Sequence, residues 1–527
     1  MNQSRQTVER SKRISLAALA AGVGFGLAAS TLCYANPSDM YGLGAREIGM
    51  GNAFTAVADD PFAAYYNLGG LIQLTRLTLS VGVQFGHAAL GDPDNCAEYD
   101  GVGCSEAFYY TSGGVLTSQQ RRYGYEDPIG THIAFALPLF PKLSLGTVAY
   151  LPADRIYDEE GNFAGIRPRL ARLMTIDPYM PDYVLYQNRG QRFAAYLGLA
   201  YEIIPGLGIG FGGSVFARAN LTMDIGGTVS IDSATADDGS TTTQVITALN
   251  TLMVMDMGPV LNPLAGIHWN LGTISKSLAG WQVGVTYRGS DHIAADTEVN
   301  TDLTVTTNLG EEDTAYSYGV VVDGLPLGII DFYTPQQVAF GFTGLIADRF
   351  RLAVDATWND WSAYRVSQVT VPDSVDLGLG ATATVVNARV VDTSNFRDTI
   401  MPRFGMEGRL GPFATGSRFR GVDVFLRVGG GFEPNPFGEQ TGLTNLLNSD
   451  RILGHAGVGV NTHNPFAGDR ALPVSIDLAF QMHYLVPMRH IKDFDAGDSP
   501  PDGYPIDGQY VSQGTVMQGA LTFQFGF

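Results

Sequence analysis

The chain has 527 residues and a formal net charge of −20, and only 16% of its residues are charged. Charged residues make up about 25% of a typical soluble domain, so the composition argues against a series of soluble domains. Such an acidic chain is not expected to bind the phosphate backbone of a nucleic acid. The 65 glycines and the aromatic share of 11%, without any internal apolar run of about 18 residues, instead predict a transmembrane β-barrel.

The first 35 residues have the pattern of a secretory signal peptide. Basic side chains are concentrated within residues 1–13, the apolar stretch ISLAALAAGVGFGLAASTL (14–32) follows, and Ala35 marks a cleavage site. An uncleaved membrane anchor is the alternative, but the alanine- and glycine-rich core favours cleavage. Residues 1–35 are therefore predicted to be a signal peptide that directs the chain to export.

From residue 77 onwards, apolar and polar residues alternate in many segments. In LTLSVGVQF (77–85) the leucines, valines and phenylalanine share one face, and Thr78, Ser80 and Gln84 lie on the other. A membrane-spanning strand needs about 9–11 residues of this pattern, and bacterial single-chain barrels have an even number of strands. The pattern predicts about fourteen antiparallel strands. They are 77–85, 131–140, 143–151, 191–202, 207–218, 259–271, 280–289, 335–344, 350–358, 399–410, 420–430, 453–461, 474–484 and 517–527.

The connections between these strands differ strongly in length. The links at 140–143, 203–206 and 345–349 are tight, whereas most others are long. Short periplasmic turns and long outer loops are typical of an outer-membrane barrel. The long connections are 87–129, 152–190, 219–258, 290–334, 359–397 and 487–511.

The C-terminal residues GALTFQFGF place Phe523, Phe525 and Phe527 on one face of the last predicted strand. This ending resembles the C-terminal signal of bacterial outer-membrane barrels. Together with the signal peptide, it predicts that the protein lies in the bacterial cell outer membrane, in contact with its lipid and lipopolysaccharide.

Charged residues recur on the polar faces of the predicted strands. If the apolar faces meet lipid, the polar faces line the lumen. Two readings remain open for these charges, namely structural ion pairs within the wall and contacts with a polar segment that fills the lumen. The charges are Arg288, Arg351 with Asp355, Arg403 with Glu407, and Asp423 with Arg427.

Residues 36–75 are the candidate for such a filling segment. They lie between the signal peptide and the first strand, are rich in glycine and alanine, and carry Asp59 and Asp60 for inward-facing cations. A disordered periplasmic tail is the alternative, but the aromatic and aliphatic content argues against it.

Two cysteines, Cys96 and Cys104, remain after removal of the signal peptide. They are close together in a polar stretch of an exported chain, so a surface-loop disulfide is predicted. A metal site is the weaker alternative, because no histidine lies near enough in the sequence to complete a ligand set. No metal or other cofactor is expected.

Several segments together resemble the FadL family of outer-membrane channels for long-chain fatty acids and other hydrophobic compounds. AREIGMGNAFTAVADDPFAAYYNLGGL (45–71) is similar to the family's N-terminal hatch. TPQQVAFGFTGLIADRFRLAVDATWNDWSAY (334–364) is similar to a strand pair that ends in a Trp-x-x-Trp-Ser step. FEPNPFGEQ (432–440) is similar to a proline-containing loop, and the terminal phenylalanine agrees.

The resemblance implies a monomeric, plugged barrel without enzymatic activity. Residues 36–75 would be the hatch and residues 76–527 the barrel. A hydrophobic ligand would pass from the outer loops to a pocket beside the hatch. It would leave sideways through a gap near the third strand, where Gly146 lies. The family's Asn-Pro-Ala ending is replaced here by Asn67-Leu68-Gly69, followed by Gly70. The loss of proline and the gain of glycine suggest that this hatch is held differently.

Two predicted outer loops are unusually apolar and are candidates for ligand capture. Residues 246–258 contain Leu249, Leu252, Met253, Met255 and Met257. Residues 163–185 contain Phe163 and Leu170, with arginines between them that suit an anionic ligand or lipopolysaccharide phosphates. The alternative is that the two loops pack on each other as a lid, and the two readings are compatible.

Three inward-facing arginines, Arg288, Arg403 and Arg427, are candidates for binding the carboxylate of a fatty acid. A wholly apolar pocket would instead favour alkanes or aromatic hydrocarbons. The remaining alternatives are a barrel enzyme, for which no nucleophile and base are grouped by strand parity, and a non-selective porin, which would need an open lumen.

Overall fold

The computed structural model describes the barrel and short parts of its connections. The described residues are 40–90, 108–110, 116–118, 129–152, 171–172, 183, 194–216, 219–231, 245–257, 260–308, 315–363, 368–369, 374–376, 382–384, 396–413, 421–437, 440–441, 448–463, 472–493 and 508–527. The predicted signal peptide, Cys96 and Cys104 lie outside these ranges.

Fourteen antiparallel strands form one closed sheet. They are β1 (Thr78–Leu90), β2 (Ile129–Phe140), β3 (Leu143–Pro152), β4 (Ala194–Ile204), β5 (Leu207–Phe216), β6 (Val260–Asn270), β7 (Trp281–Arg288), β8 (Gln337–Ile346), β9 (Phe350–Asn359), β10 (Thr399–Phe413), β11 (Val422–Glu433), β12 (Arg451–His463), β13 (Pro473–Asp493) and β14 (Gly508–Gly526). Each strand pairs with its neighbours in chain order.

The sheet closes where β1 pairs with β14, with Leu79 opposite Phe525 and Val83 opposite Leu521. Closure leaves no free strand edge, so the backbone groups of every barrel strand have partners on both sides. The predicted strand number and all fourteen predicted positions are confirmed, including the weak patterns at 259–271 and 453–461, which correspond to β6 and β12.

Alternating polarity sets the two faces of the barrel wall. On β1, Ser80 and Gln84 are buried, whereas Val83 and Phe85 are 47% and 59% exposed. In a soluble protein the apolar face of a strand is buried, but here it is the exposed face. Other strands show the same arrangement, with Phe211 and Phe340 among the exposed side chains. Polar side chains therefore point to the inner face, as the alternation predicts.

The connections contain further paired strands. Ala219–Ile231 pairs antiparallel with Val245–Met257, and Ala171–Arg172 joins the same small sheet in parallel. Asp291–Asn308 pairs with Ala315–Thr334. The long predicted connection 219–258 thus contains paired strands. The alternating sequence VITALNTLMVMDM finds an antiparallel partner that satisfies its backbone groups.

Shorter paired segments also occur in the connections. They are Phe108–Tyr110 with Leu116–Ser118, Ser374–Asp376 with Thr382–Thr384, Gln368–Val369 beside Ala315–Thr334, and Gln440–Thr441 beside β13.

Residues 40–74, here called the N-terminal segment, contain the helices α1 (Ala45–Gly49) and α2 (Ala63–Tyr66) and a 3-10 helix over Leu68–Gln73. Within the part of the chain that the structure describes, no helix is long and apolar enough to span a membrane. Helix α1 packs on β11 to β14, and the 3-10 helix packs on β3 to β7. The segment therefore contacts strands that are far apart in the sheet, on the face that carries their buried side chains.

Small residues on the strands allow this close packing. A Cβ at Gly210 on β5 would lie 2.4 Å from Cβ of Leu68 and 2.6 Å from its carbonyl carbon. A Cβ at Gly198 on β4 would lie 2.4 Å from a methyl group of the same leucine. By contrast, a Cβ at Gly454 on β12 would meet nothing within 4 Å. Glycine is thus required where the segment meets the wall.

These contacts predict different costs for two chemically identical substitutions. Gly210→Ala places a methyl group against the backbone of Leu68, and overpacking of this kind costs about 1–3 kcal/mol. Gly454→Ala enters open space and should change the free energy of unfolding by less than about 0.5 kcal/mol. Urea unfolding of the two purified variants in detergent measures the difference. Equal stabilities would show that Leu68 does not pack on β5 as described.

Candidate ligand-binding site

A small cavity of about 30 Å³ lies between the N-terminal segment and strands β7 to β10. Among the described residues, its lining contains two guanidinium groups and no carboxylate. The lining residues are Gly42, Asn52, Thr55, Tyr65, Tyr66, Thr286, Arg288, Gln337, Ala339, Thr357 and Arg403. The structure thus brings together two of the three arginines that strand parity nominated.

Arg288 lies at the end of β7 and reaches the N-terminal segment. Its guanidinium stacks on the ring of Tyr65, with Cζ 3.8 Å from the ring centroid. Nη2 donates to the carbonyl oxygen of Tyr65 (3.0 Å) and Nη1 to Oε1 of Gln337 (3.3 Å). A guanidinium over an aromatic face is attracted by the negative potential of the ring.

Arg403 lies on β10, on the same cavity. No carboxylate of the described residues lies within ion-pair distance of it, and its Nε is buried without an acceptor among them. Asp355, on the neighbouring strand β9, accepts a hydrogen bond from the backbone N–H of Thr55 (2.9 Å). A half-buried guanidinium whose Nε has no described acceptor is suited to a ligand that brings its own negative charge.

The segment side of the cavity is formed by two tyrosines that sequence reasoning did not nominate. The hydroxyl of Tyr66 donates to Oδ1 of Asn52 (2.8 Å) and accepts from the N–H of Leu43 (3.1 Å). The ring of Tyr65 packs edge-on against those of Tyr66 (4.8 Å) and Tyr196 (4.9 Å) between centroids. The adjacent tyrosines within AAYYN (63–67) are the sequence feature from which these aromatic walls could have been predicted.

Away from the cavity, Arg46 of α1 joins the N-terminal segment to the wall. Its guanidinium pairs with Asp59 (2.6 Å) and Asp60 (3.4 Å) within the segment and with Glu407 on β10 (3.0 Å). Arg351 on β9 pairs with the second oxygen of Asp59 (3.1 Å). Asp59 therefore meets an inward-facing cation, whereas the cation that Asp60 meets belongs to its own segment.

Glu407 connects this group to the third nominated arginine. Arg427 pairs with Glu407 (2.8 Å) and with Asp477 on β13 (2.6 Å), and its side chain is 2% exposed. Two carboxylates thus occupy its donors, and it does not line the cavity. The geometry assigns Arg427 to structural pairing, which was one of the two readings open for the inward charges.

The acids of the segment differ in their protonation. Burial alone would raise the pKa of Asp59, but the guanidinium groups of Arg46 and Arg351 outweigh it and hold that pKa below its usual range. Burial raises the pKa of the Glu47 carboxyl well above its usual range, and the neighbouring carboxyl of Asp60 raises it further. Within one segment, the pKa of one acid is thus lowered by neighbouring cations and the pKa of another is raised by burial.

The end of the segment is fixed by Asn67 and the residues that follow it. The side-chain amide of Asn67 donates to the carbonyl oxygens of Thr55 (2.8 Å) and Ile267 (2.9 Å), and its Oδ1 accepts from the N–H of Gly69 (3.0 Å). A Cβ at Gly69 would lie 2.7 Å from the backbone nitrogen of His268, and one at Gly70 would lie 2.3 Å from a carbonyl oxygen. Both glycines allow close backbone approach, so this ending is tightly packed and not loose.

Gly146, which was nominated for a lateral gap, lies in the middle of β3. It pairs with Ala136 on one side and with Gly198 on the other. A Cβ at this position would lie 2.7 Å from the methyl groups of Leu71. The structure therefore shows a paired strand here and a contact with the 3-10 helix of the segment.

The residues nominated for outer capture are only partly described. Phe163 and Leu170 lie outside the described residues. Leu249, Leu252, Met253, Met255 and Met257 belong to the strand Val245–Met257, of which the backbone is described. That strand belongs to the same small sheet as Ala171–Arg172, with Ala219–Ile231 paired between the two.

Comparisons with known proteins support the fold. No protein-family model and no curated protein matches the chain. Among solved structures, it is similar to a Pseudomonas aeruginosa FadL homologue, with a TM-score of 0.54, 11% sequence identity and coverage of 91% of this chain and 97% of that chain. At this identity the similarity shows a shared barrel fold.

Two further solved structures match over similar lengths. The Ralstonia pickettii toluene transporter TbuX matches with a TM-score of 0.43 and 12% identity, covering 93% of this chain and 99% of that chain. The CymD monoaromatic hydrocarbon channel matches with a TM-score of 0.43 and 14% identity, covering 94% of this chain and 99% of that chain.

The ion-pair network predicts a large effect at Glu407. Glu407→Gln leaves the guanidinium groups of Arg46 and Arg427 close together without the carboxylate they share, and breaking a buried pair in this way costs about 3–5 kcal/mol. Asp423→Asn breaks the more exposed pair of Asp423 with Arg409 and should cost at most about 1 kcal/mol. Urea unfolding monitored by circular dichroism compares the two, and a cost below that of the control would contradict the network.

Proposed function

We propose that this protein is an outer-membrane channel of the FadL type for the passive uptake of hydrophobic compounds, and that its ligands include amphipathic anions such as long-chain fatty acids. The observation that carries the proposal is the small cavity beside the N-terminal segment, where Arg288 and Arg403 lie near aromatic side chains and no described carboxylate lines the wall. The protein acts in this proposal as a channel and not as an enzyme.

Placement in a membrane is supported by the outer face of the barrel. Leucine, isoleucine, valine and phenylalanine side chains are exposed there on strands all around the sheet. In water such a continuous apolar surface would be strongly unfavourable, whereas a lipid bilayer covers it without cost. The predicted signal peptide and the terminal Phe527 support the outer membrane of a bacterium as the location, with lipid and lipopolysaccharide around a monomeric barrel.

The N-terminal segment is proposed to be the plug of the channel. Its side chains are almost all buried, and it contacts both β14 and β5 on their inner face. A segment in this position would block ions and small polar solutes. This argues against the alternative of a non-selective porin, which needs an open lumen filled with water.

The chemistry of the cavity supports recognition of a negatively charged headgroup. A fatty acid needs apolar contacts for its tail and a cation for its carboxylate. Nε of Arg403 has no described acceptor, and the ring of Tyr65 stacks on the neighbouring guanidinium of Arg288. The apolar strand Val245–Met257 and the stretch 163–185 are the proposed outer capture surface, from which the ligand would move inward.

Aromatic hydrocarbons are the second candidate ligand class. The observation in their favour is the cluster of Tyr65, Tyr66 and Tyr196, whose rings meet edge-on beside the cavity. Edge-to-face contacts stabilise aromatic guests without any charge. Lateral release into the membrane beside Gly146 stays a prediction for either ligand, and it would require the pairing of β3 to open.

Uptake by cells that lack their own channel and express this chain tests the proposal. Labelled oleate and toluene should both enter faster than in cells without the chain. Because a hydrogen bond to a charged group contributes about 1.5–3 kcal/mol, Arg288→Gln with Arg403→Gln should lower oleate uptake at limiting concentration by about tenfold or more and leave toluene uptake unchanged.

The matched control is Arg409→Gln. Arg409 is an exposed residue of β10 that pairs with Asp423 on β11. It should leave the uptake of both compounds at the wild-type rate. Uptake of neither compound by a folded wild-type barrel would refute the channel. If the wild type takes up toluene but no oleate, and the double variant takes up toluene at the same rate, the cavity would be assigned to neutral hydrocarbons.

A further inference from the structure

The small cavity is formed by two separate parts of the molecule. Six of its lining residues lie on the strands of the barrel wall, and five belong to the N-terminal segment. The wall contributes both guanidinium groups, whereas the segment contributes polar atoms and two aromatic rings. The five segment residues are Gly42, Asn52, Thr55, Tyr65 and Tyr66. The site is therefore complete only while the segment is docked on the wall.

The segment also positions one of the two cations. The guanidinium of Arg288 stacks on the ring of Tyr65, and its Nη2 donates to the carbonyl oxygen of the same tyrosine (3.0 Å). From the wall, Oε1 of Gln337 accepts from Nη1 (3.3 Å). One residue of the segment thus supplies both a ring and a carbonyl acceptor. Undocking of the segment would remove these two contacts and release Arg288 from its position beside the cavity.

The volume of the cavity suits a carboxylate headgroup. A buried water molecule needs a cavity of about 10–15 Å³, so a cavity of about 30 Å³ holds two groups of that size. The two oxygens of one carboxylate fill this room. Nε of Arg403, which has no described acceptor, supplies a charged donor for them. A fatty acid in this site therefore contacts the segment and the wall at the same time.

We propose that an anionic ligand bound in this cavity holds the N-terminal segment docked, so that an occupied site keeps the lumen closed. The ligand loses the contacts of the segment, and the fixed position of Arg288, when the segment leaves the wall. By thermodynamic reciprocity, a ligand that needs docking in order to bind also stabilises docking. The segment then opens only after the headgroup has left. This inference rests on the proposed roles of the cavity as a fatty-acid site and of the segment as the plug.

The size of the effect follows from the binding equilibrium. When only the docked form binds, a free ligand concentration of about 100 times the dissociation constant lowers the ratio of undocked to docked molecules about a hundredfold. A neutral ligand with the same chain gains no ion pair with the two guanidinium groups, so it should shift this ratio far less.

Two backbone amides of the segment report its docking directly. The N–H of Thr55 donates to Oδ2 of Asp355 on β9 (2.9 Å), and the N–H of Ala45 donates to Oγ1 of Thr522 on β14 (2.9 Å). Both hydrogen bonds join the segment to the wall and are buried. Undocking breaks them and opens these amides to exchange with water.

Hydrogen exchange of the full chain in lipid nanodiscs, read by mass spectrometry, tests the proposal. Saturating oleate should slow exchange in the peptides that contain Ala45 and Thr55 by up to about a hundredfold. Oleyl alcohol, which has the same chain without the carboxylate, should slow it far less. Arg403→Gln should lose the protection by oleate, and Arg403→Lys, which keeps a cation, should retain part of it. Arg409→Gln, which does not line the cavity, should follow the wild type.

Ion conductance in planar bilayers gives a second readout. Glu407→Gln breaks the ion pair of α1 with the wall, so it should raise the basal conductance, and oleate should then lower it. A conductance that rises with oleate would overturn the proposal, because the bound ligand would then open the lumen. Unchanged exchange and conductance, in a chain that still takes up oleate in cells, would also overturn it and leave the channel standing. A folded chain that takes up neither oleate nor toluene would refute the channel itself.

Discussion

The ion pair between Arg46 and Glu407 is the interaction on which the arrangement of this molecule depends. Arg46 is the only cation within residues 40–74, and that stretch also contains three acids. Its guanidinium forms ion pairs with Asp59 and Asp60 within the segment and with Glu407 in the barrel wall. Glu407 also pairs with Arg427 on β11. The ion pairs therefore link helix α1 to strands β10 and β11 of the barrel.

This interaction stabilises the molecule only because the rest of the wall leaves room for the segment. Glycines at positions 198 and 210 accept the side chain of Leu68, and Gly69 comes close to the backbone of β6. Ion pairs hold one end of the segment, and close backbone packing with the hydrogen bonds of Asn67 holds the other. Between them lies the cavity, where Arg403 has no described carboxylate partner.

The strands could be predicted from the sequence because alternation is a local property. The inward direction of Arg288, Arg403 and Arg427 also follows from strand parity, and the structure confirms that all three lie on the inner side. Strand parity predicts the face on which a side chain lies, but it does not predict the partner of that side chain. It could therefore not distinguish Arg403, which lines the cavity, from Arg427, which forms ion pairs with two carboxylates. That distinction depends on residues far away in the chain.

Contacts between residues that are distant in the sequence lie beyond the reach of local patterns. Arg46 meets Glu407 over a sequence separation of 361 residues, which no local pattern can reveal. The glycines after Asn67 suggested a loose ending, yet Gly69 lies close to the backbones of β5 and β6 and Gly70 close to Ala58, so the ending is tightly packed.

The central claim is that residues 40–74 close the lumen. Single-channel conductance in planar bilayers, compared between the full chain and a variant without residues 40–70, tests it most directly. A folded barrel without the segment should show a large, steady ion conductance at a pH where the full chain is nearly silent. Equal conductance of the two folded barrels would contradict the account, because the segment would then leave the lumen open.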